Sequence, residues 1–362
     1  MFTTVSIFAR MSDSFVNICR GIQVTKNLRY QLLFTAILSC FLLGFSCDKP
    51  TEPVPVKDYV FYFNDASYFD RYFRYHSATK RVDTLNIPYN SRAGFAVSAD
   101  GSRLYLSDGI KTVVMTSDSF QVIAEIPYGG GVSVSPDNRF VAIVGIGIVM
   151  LSTKDYSLVF SDSIPVMRGK FSRDSRTFYC ISSPNVIKVD IGNSTFDLTA
   201  KFFAGAALRW IIPSVDENKW ILYRQFQTFG YLFEVYDVAQ DSIVYQELLS
   251  PGAGDIEVTP DGRYVFYTNP GTLLFGPPPG PLAVFDIERN SVIDTILTPS
   301  PVNGFMVPRN LCITPDGRKL VVIGARGYGE FSVIDVRKLE VIEHYYLGNN
   351  VDIWDVVCQN GL

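Results

Sequence analysis

Between residues 57 and 359 the apolar positions come in short runs and short alternations. Almost nothing follows the i, i+3, i+4 spacing of a long amphipathic helix. "RYVFYT" (263–268), "KLVVI" (319–323) and "RFVAIV" (139–144) have the aromatic and β-branched content of strands. "DIEVT" (255–259) alternates Ile256 and Val258 with polar residues, as a strand does. The pattern predicts an all-β chain of short strands.

The strands are punctuated by one recurring turn. "TPDGR" occurs at 259–263 and again at 314–318. Pro fixes φ, Asp accepts backbone N–H bonds ahead of it, and Gly tolerates positive φ. Looser copies begin at Ser98 ("SADGSRLYLS"), Ser135 ("SPDNRFVAIV"), Ser172 ("SRDSRTFYCI") and Ser214 ("SVDENKWILY"). The turn aspartates are Asp100, Asp137, Asp174, Asp216, Asp261 and Asp316, spaced by 37, 37, 42, 45 and 55 residues. A period of about 40 residues built from short strands signals a propeller or a related array.

A second unit repeats out of phase: an apolar strand, a polar turn and another strand. It occurs at 72–88, 113–127, 148–165, 186–203, 232–248, 282–298 and 331–347. That gives seven outer hairpins against six inner turns. "KDYVFYF" (57–63) reads as a second strand lacking a first, and "NNVDIWDVVCQ" (349–359) as a first strand lacking a second. Joining the two ends completes a blade and removes the open sheet edge. The expected fold is a seven-bladed β-propeller of four-stranded blades over 57–362, closed by the C-terminal strand pairing in the N-terminal blade.

"TPDGRKLVVIGARGYGEFSVIDVRKLEVIEHYYLG" (314–348) resembles the YVTN family of propeller repeats, and "LAVFDIERNSVIDTI" (282–296) is similar to its second half. The resemblance spans about 57–359 and implies the fold. It carries little about function, because such repeats are scaffold signatures. Asp174 and Asp216 depart most from the pattern, which leaves the strand limits of blades 4 and 5 least defined.

The N-terminus differs in kind. An apolar run from about Leu32 to Phe45 follows Lys26 and Arg29, is short for a bilayer span, and ends at Cys47. "DKPTEPVPVKD" (48–58) is Pro-rich and charged, as a tether is. Residues 1–46 are therefore read as a leader and 47–56 as a linker. The arrangement resembles a bacterial lipoprotein signal, which implies lipidation of Cys47. The positions before Cys47 (Gly44, Phe45, Ser46) depart from that pattern, and Cys40 after "ILS" is the alternative. An uncleaved anchor is a further alternative, and Met11 an alternative start. The expected location is extracytoplasmic, with the chain held at a membrane by lipid.

Charge narrows the partners. The formal charge is −4, and residues 1–46 carry a net +3, which leaves −7 beyond them. No basic footprint for nucleic acid is present. Two histidines, His76 and His344, exclude a three-histidine metal centre. No Walker loop, G-x-S-x-G elbow or C-x-x-C-H motif occurs. "YGGGVSVS" (128–135) opens no helix and reads as a crowded connection between blades. No metal or cofactor is expected. Cys19, Cys40 and Cys47 lie in the leader or at its edge, and Cys180, Cys312 and Cys358 remain. The last two fall in innermost strands of adjacent blades, so either a disulfide or ordinary apolar packing suits them.

In a propeller the blade-to-blade connections and the middle loops share one face, opposite the T-P-D-G turns. Near the axis on that face the repeat places Arg92, Arg168, Arg209, Trp210, Asp255, Arg309, Asn310, Asp352 and Trp354. Arginines at a funnel mouth suit an anionic ligand or a partner's carboxylates. Pairing of those arginines with Asp255 and Asp352 is the competing reading. Two long loops, 269–281 and 298–310, carry Leu273, Leu274, Phe275, Phe305 and Met306 among prolines. They read either as a partner-binding surface or as a lid over their own blades.

The expected function is an envelope scaffold that binds a protein, glycan or small ligand. Related propellers include lactonases and quinoprotein dehydrogenase subunits, so an enzyme is the alternative reading. For a lactonase-like metal site the axis would offer Asp255, Asn310 and Asp352. A structural cell-surface module is the third reading.

Overall fold

The computed structural model describes residues 58–359 except 69, 193–195, 203–206, 227–229, 250–253, 269–280, 301–303, 307 and 325–328. Cys40, Cys47, the linker, Leu273, Leu274 and Phe275 lie outside the described residues, as does the side chain of Phe305. The described residues form strands and turns, with no helix among them.

Seven four-stranded antiparallel sheets form seven blades. Their innermost strands are Gly94–Val97, Gly131–Val134, Gly169–Phe171, Ala207–Pro213, Ile256–Val258, Pro308–Ile313 and Ile353–Gln359. Each touches the next around the ring, and Ile353–Gln359 touches both Pro308–Ile313 and Gly94–Val97. The ring closes as the strand count requires. Val60–Asp65 pairs antiparallel with Ile353–Gln359, in a register that sets Phe61 opposite Cys358 and Asn64 opposite Asp355. The paired segment begins a few residues later than "KDYVFYF", at Val60.

The core lies between the blades. Strand residues alternate faces, so each sheet feeds two interfaces. The junction of blades 7 and 1 buries Phe61, Phe63, Tyr75, Val321 and Phe331. The junction of blades 5 and 6 stacks Phe233 on Tyr267, with ring centroids 4.2 Å apart. Comparable clusters fill the other five junctions. No single interior exists, and each blade is stabilised by its neighbours.

The recurring turn has one geometry in all six copies. The Ser or Thr hydroxyl donates to the turn aspartate, at 2.5 Å for Thr259 and Asp261 and 2.7 Å for Ser172 and Asp174. The same aspartate accepts the backbone N–H two residues on, as Arg263 and Arg176 show at 3.0 Å each. The following residue has positive φ whether or not it is glycine: 73° at Gly262, but also 58° at Asn138, 61° at Ser175 and 57° at Glu217. These three exceptions explain why the looser copies keep the turn. Their side chains bond to the preceding blade. Asn138 Oδ1 accepts Ala99 N–H at 2.7 Å, Ser175 Oγ accepts Asp137 N–H at 3.1 Å, and Glu217 Oε2 accepts the Tyr179 hydroxyl. A contact between blades offsets the left-handed backbone.

The connection at Gly129–Gly131 is crowded, as expected: a side chain on Gly130 would overlap the carbonyl of Val144.

Candidate functional site

Three innermost strands and the residues at their edges bring charge to the axis. Arg168 and Lys170 flank Gly169 in blade 4, and Asp255 and Glu257 flank Ile256 in blade 6. Period-two alternation turns each pair toward the same side. Blade 1 adds Asp355, between Trp354 and Val356. Arg168, Lys170, Trp210, Asp255, Glu257 and Asp355 line one axial cavity of 180 Å³. Gly254 permits the approach of blades 6 and 7, since a side chain there would overlap the backbone of Arg309.

Two carboxylates sit in this channel without a salt bridge among the described residues. Asp255 Oδ2 accepts Leu311 N–H at 3.1 Å and Oδ1 accepts Ile256 N–H at 2.9 Å. Asp355 Oδ1 accepts Val356 N–H at 2.9 Å and the Asn310 amide at 3.4 Å. Burial raises the Asp255 pKa, against the pull of the Arg168 charge. Burial, and then the nearby charge of Asp255, push Asp355 up to about 6. These side chains are only partly exposed and protein walls them in, which is why desolvation dominates. Deeper in, Lys170 Nζ meets Glu257 Oε2 at 3.1 Å. Burial opposes the Lys170 charge, but Glu257 outweighs it and the ammonium is held above its ordinary range.

The mouth carries two arginine–tryptophan stacks. Arg168 lies 3.8 Å over the ring of Trp210, and Arg309 lies 3.6 Å over Trp354. Arg309 also faces Asp352 at 3.5 Å. Arg168 is exposed and, among the described residues, donates to no carboxylate. Trp354 is 47% exposed. Arg92 and Trp354 line an adjoining 210 Å³ cavity with Asn64 and Asp65. A second cavity of 210 Å³ joins Arg92, Arg168, Trp354 and Asp355.

The structure thus gathers Arg92, Arg168, Trp210, Asp255, Trp354 and, through Asp355, Asn310. Arg209 turns to Gln225 Oε1 at 3.0 Å and lines none of these cavities. Asp352 serves Arg309 at the rim, and Asp355 takes the axial place expected of it. Lys170, Glu257 and Asp355 were missed. The first two follow by period two from Arg168 and Asp255, and Asp355 follows once the closing register is known. In the long loop 298–310, Pro299–Ser300 pairs with Gly304–Phe305, and Met306 is buried at 3% exposure against Leu311 and Leu320. Met306 therefore acts as a lid residue and is not displayed to a partner. His76 pairs with Asp58 and Asp83, and His344 meets the Ser332 hydroxyl, both in outer strands. Among the described residues no group of three or more His, Cys, Asp or Glu side chains is arranged to hold a metal ion.

No family model matches the chain, and no curated protein matches it in sequence. Solved structures do match in fold. A functionally unknown protein from Desulfotomaculum acetoxidans superposes with a TM-score of 0.61 at 14% identity, covering 84% of this chain and 99% of that one. A "putative 6-phosphogluconolactonase" from Bacteroides fragilis gives 0.59 at 13% identity, covering 84% and 98%. The dihydro-heme d1 dehydrogenase NirN gives 0.57 at 16% identity, covering 82% and 74%. At these identities the likeness is one of fold: the chain is a seven-bladed β-propeller whose structural neighbours include enzymes.

Proposed function

We propose that this chain is a ligand-binding propeller of the YVTN type. It would be tethered in the cell envelope by lipid on Cys47 and bind through the axial mouth on the face of the blade-to-blade connections. The ligand class is a small molecule with an anionic group and a hydrogen-bond-donating or cationic group. The anion meets Arg168 and Arg92, the donor meets Asp255 and Asp355, and an apolar face rests on Trp354. One observation carries this reading: Arg168 is held by a stack on Trp210, not by a carboxylate, while Asp255 and Asp355, two carboxylates without a salt bridge among the described residues, share its cavity. A guanidinium so placed keeps its bidentate donors for a ligand.

Calorimetry of the full chain with a panel of amino acids, small dicarboxylates and uronic acids tests it. Saturable binding to a member of the panel that disappears in Arg168→Ala supports the reading. Binding unchanged in that variant rejects the site.

The second reading is a propeller enzyme. Asp355, with a pKa near 6, has the protonation range of a general base, and the similar structures include proteins described as a lactonase and a dehydrogenase. Turnover of a bound lactone, abolished by Asp355→Asn while binding persists, would favour it over simple binding.

A further inference from the structure

We propose that Cys312 and Cys358 form an oxidisable dithiol that closes to a disulfide between blades 7 and 1. The inference is independent of the ligand reading. Cys312 lies in Pro308–Ile313 and Cys358 in Ile353–Gln359, innermost strands that are in contact. Both side chains pack against the same buried cluster, around Phe61, Val321 and Phe331. Both are free thiols. The Cys312 thiol lies against the Cys358 thiol; this contact, then burial, holds its pKa well above the ordinary range. Glu257 adds to the shift, and Lys170 opposes it. Cys358 also lines the 440 Å³ cavity at the far end of the channel, on the side of the T-P-D-G turns. Its Sγ donates to Gln359 O at 3.3 Å. Cys180 is fully buried in blade 4 and takes no part.

The reaction is thiol–disulfide exchange with a small disulfide R–S–S–R entering that cavity. Cys358, as thiolate, attacks one sulfur and releases R–S⁻, forming a mixed disulfide. Cys312 loses its proton to solvent and attacks the Cys358 sulfur. The Sγ–Sγ bond forms and the second R–S⁻ leaves. Two protein thiols are oxidised, one disulfide is reduced to two thiols, and the protons end on solvent or the leaving thiolates. The raised Cys312 pKa makes the second step the slow one at neutral pH. The product would fasten the C-terminal strand, which completes blade 1, to the blade before it. That segment is otherwise held by hydrogen bonds to Val60–Asp65 and by packing.

The test uses the full chain, reduced, desalted and incubated with glutathione disulfide under native conditions. It is then alkylated and mapped by mass spectrometry without reductant. The expected result is an intramolecular Cys312–Cys358 link with loss of two hydrogens. Cys180 should become alkylated only after denaturation. Cys312→Ser should instead accumulate one glutathione on Cys358, and the linked wild-type chain should melt at a higher temperature than the reduced one. A link that forms only in urea, or glutathione retained on both thiols of the folded chain, would overturn the proposal. So would two thiols that stay unmodified while the chain is folded. The wild-type mapping decides the matter even if a serine variant fails to fold.

Discussion

The backbone N–H of Asp355 donates to Asn64 Oδ1 at 2.7 Å. One residue belongs to the first strand of the propeller and the other to the last. The contact that closes the ring is therefore also the contact that sets an axial carboxylate in place. Asn64 is 6% exposed, and its amide donates onward to Ser91 Oγ at 3.0 Å. Asn64→Ala strands the Asp355 N–H and the Ser91 hydroxyl in a buried setting. It should cost about 2 kcal/mol, read as a lower urea midpoint with an unchanged slope.

Asp355 holds a charge that its surroundings resist. Its folded pKa of about 6 lies above the roughly 3.9 of an unfolded aspartate. The folded state therefore binds the proton more tightly, and stability falls as pH rises from about 4 through 6. Asp355→Asn removes that penalty and keeps an oxygen for the Val356 N–H. The variant should be more stable than wild type by at most about 3 kcal/mol at pH 8, less where solvent screens the charge. The two should converge near pH 4. Urea titrations at both pH values check this, and a constant difference would show that the charge is not the cause.

The turn aspartates act in the opposite direction. Burial opposes ionisation of Asp261, but hydrogen bonds from Thr259 and from the Arg263 backbone prevail and hold its pKa below the ordinary value. Asp100, Asp137, Asp174 and Asp316 share this balance, while at Asp216 the Ser214 hydrogen bond comes first. A depressed folded pKa gives stability that is present above the unfolded value and lost as pH falls through the folded one. The propeller should lose stability steeply below about pH 4. Asp261→Asn should lower the melting temperature at pH 7 and match wild type at the acid end.

Much of the fold was legible because it is written in local chemistry repeated many times. Pro260, Asp261 and Gly262 specify a turn without help from the rest of the chain, and six copies fix a period. The unpaired "KDYVFYF" and "NNVDIWDVVCQ" then force closure. The site was legible only in part. Arg168, Trp210 and Asp255 follow from the alignment of blades. Placing Asp355 on the axis instead of Asp352 requires the register between strands almost 300 residues apart, which no local pattern encodes. For Met306 the proline-rich loop left two readings open, display to a partner or a lid, and its burial decides for the lid. Its burial depends on the blade 7 strands beneath it.

The non-glycine turns give a further check. Asn138 occupies a left-handed position and ties its turn to Ala99. Asn138→Ala keeps the strained backbone and removes the bond, so it should destabilise by about 2 kcal/mol. Asn138→Gly loses the bond but relieves the backbone, and should cost well under half as much. Thermal denaturation of the two variants side by side separates the contributions. Equal losses would mean that the contact between blades, not the backbone, sets the cost.

The most direct test of the axial site is native mass spectrometry of the full chain purified gently from its own host, beside the Arg168→Ala variant. The account predicts a stoichiometric small-molecule mass retained by the wild type and lost from the variant, while both remain folded. A retained mass present equally in both would place the ligand elsewhere. Wild type recovered empty and unresponsive to the amino acid, dicarboxylate and uronic acid panel would contradict the binding assignment itself.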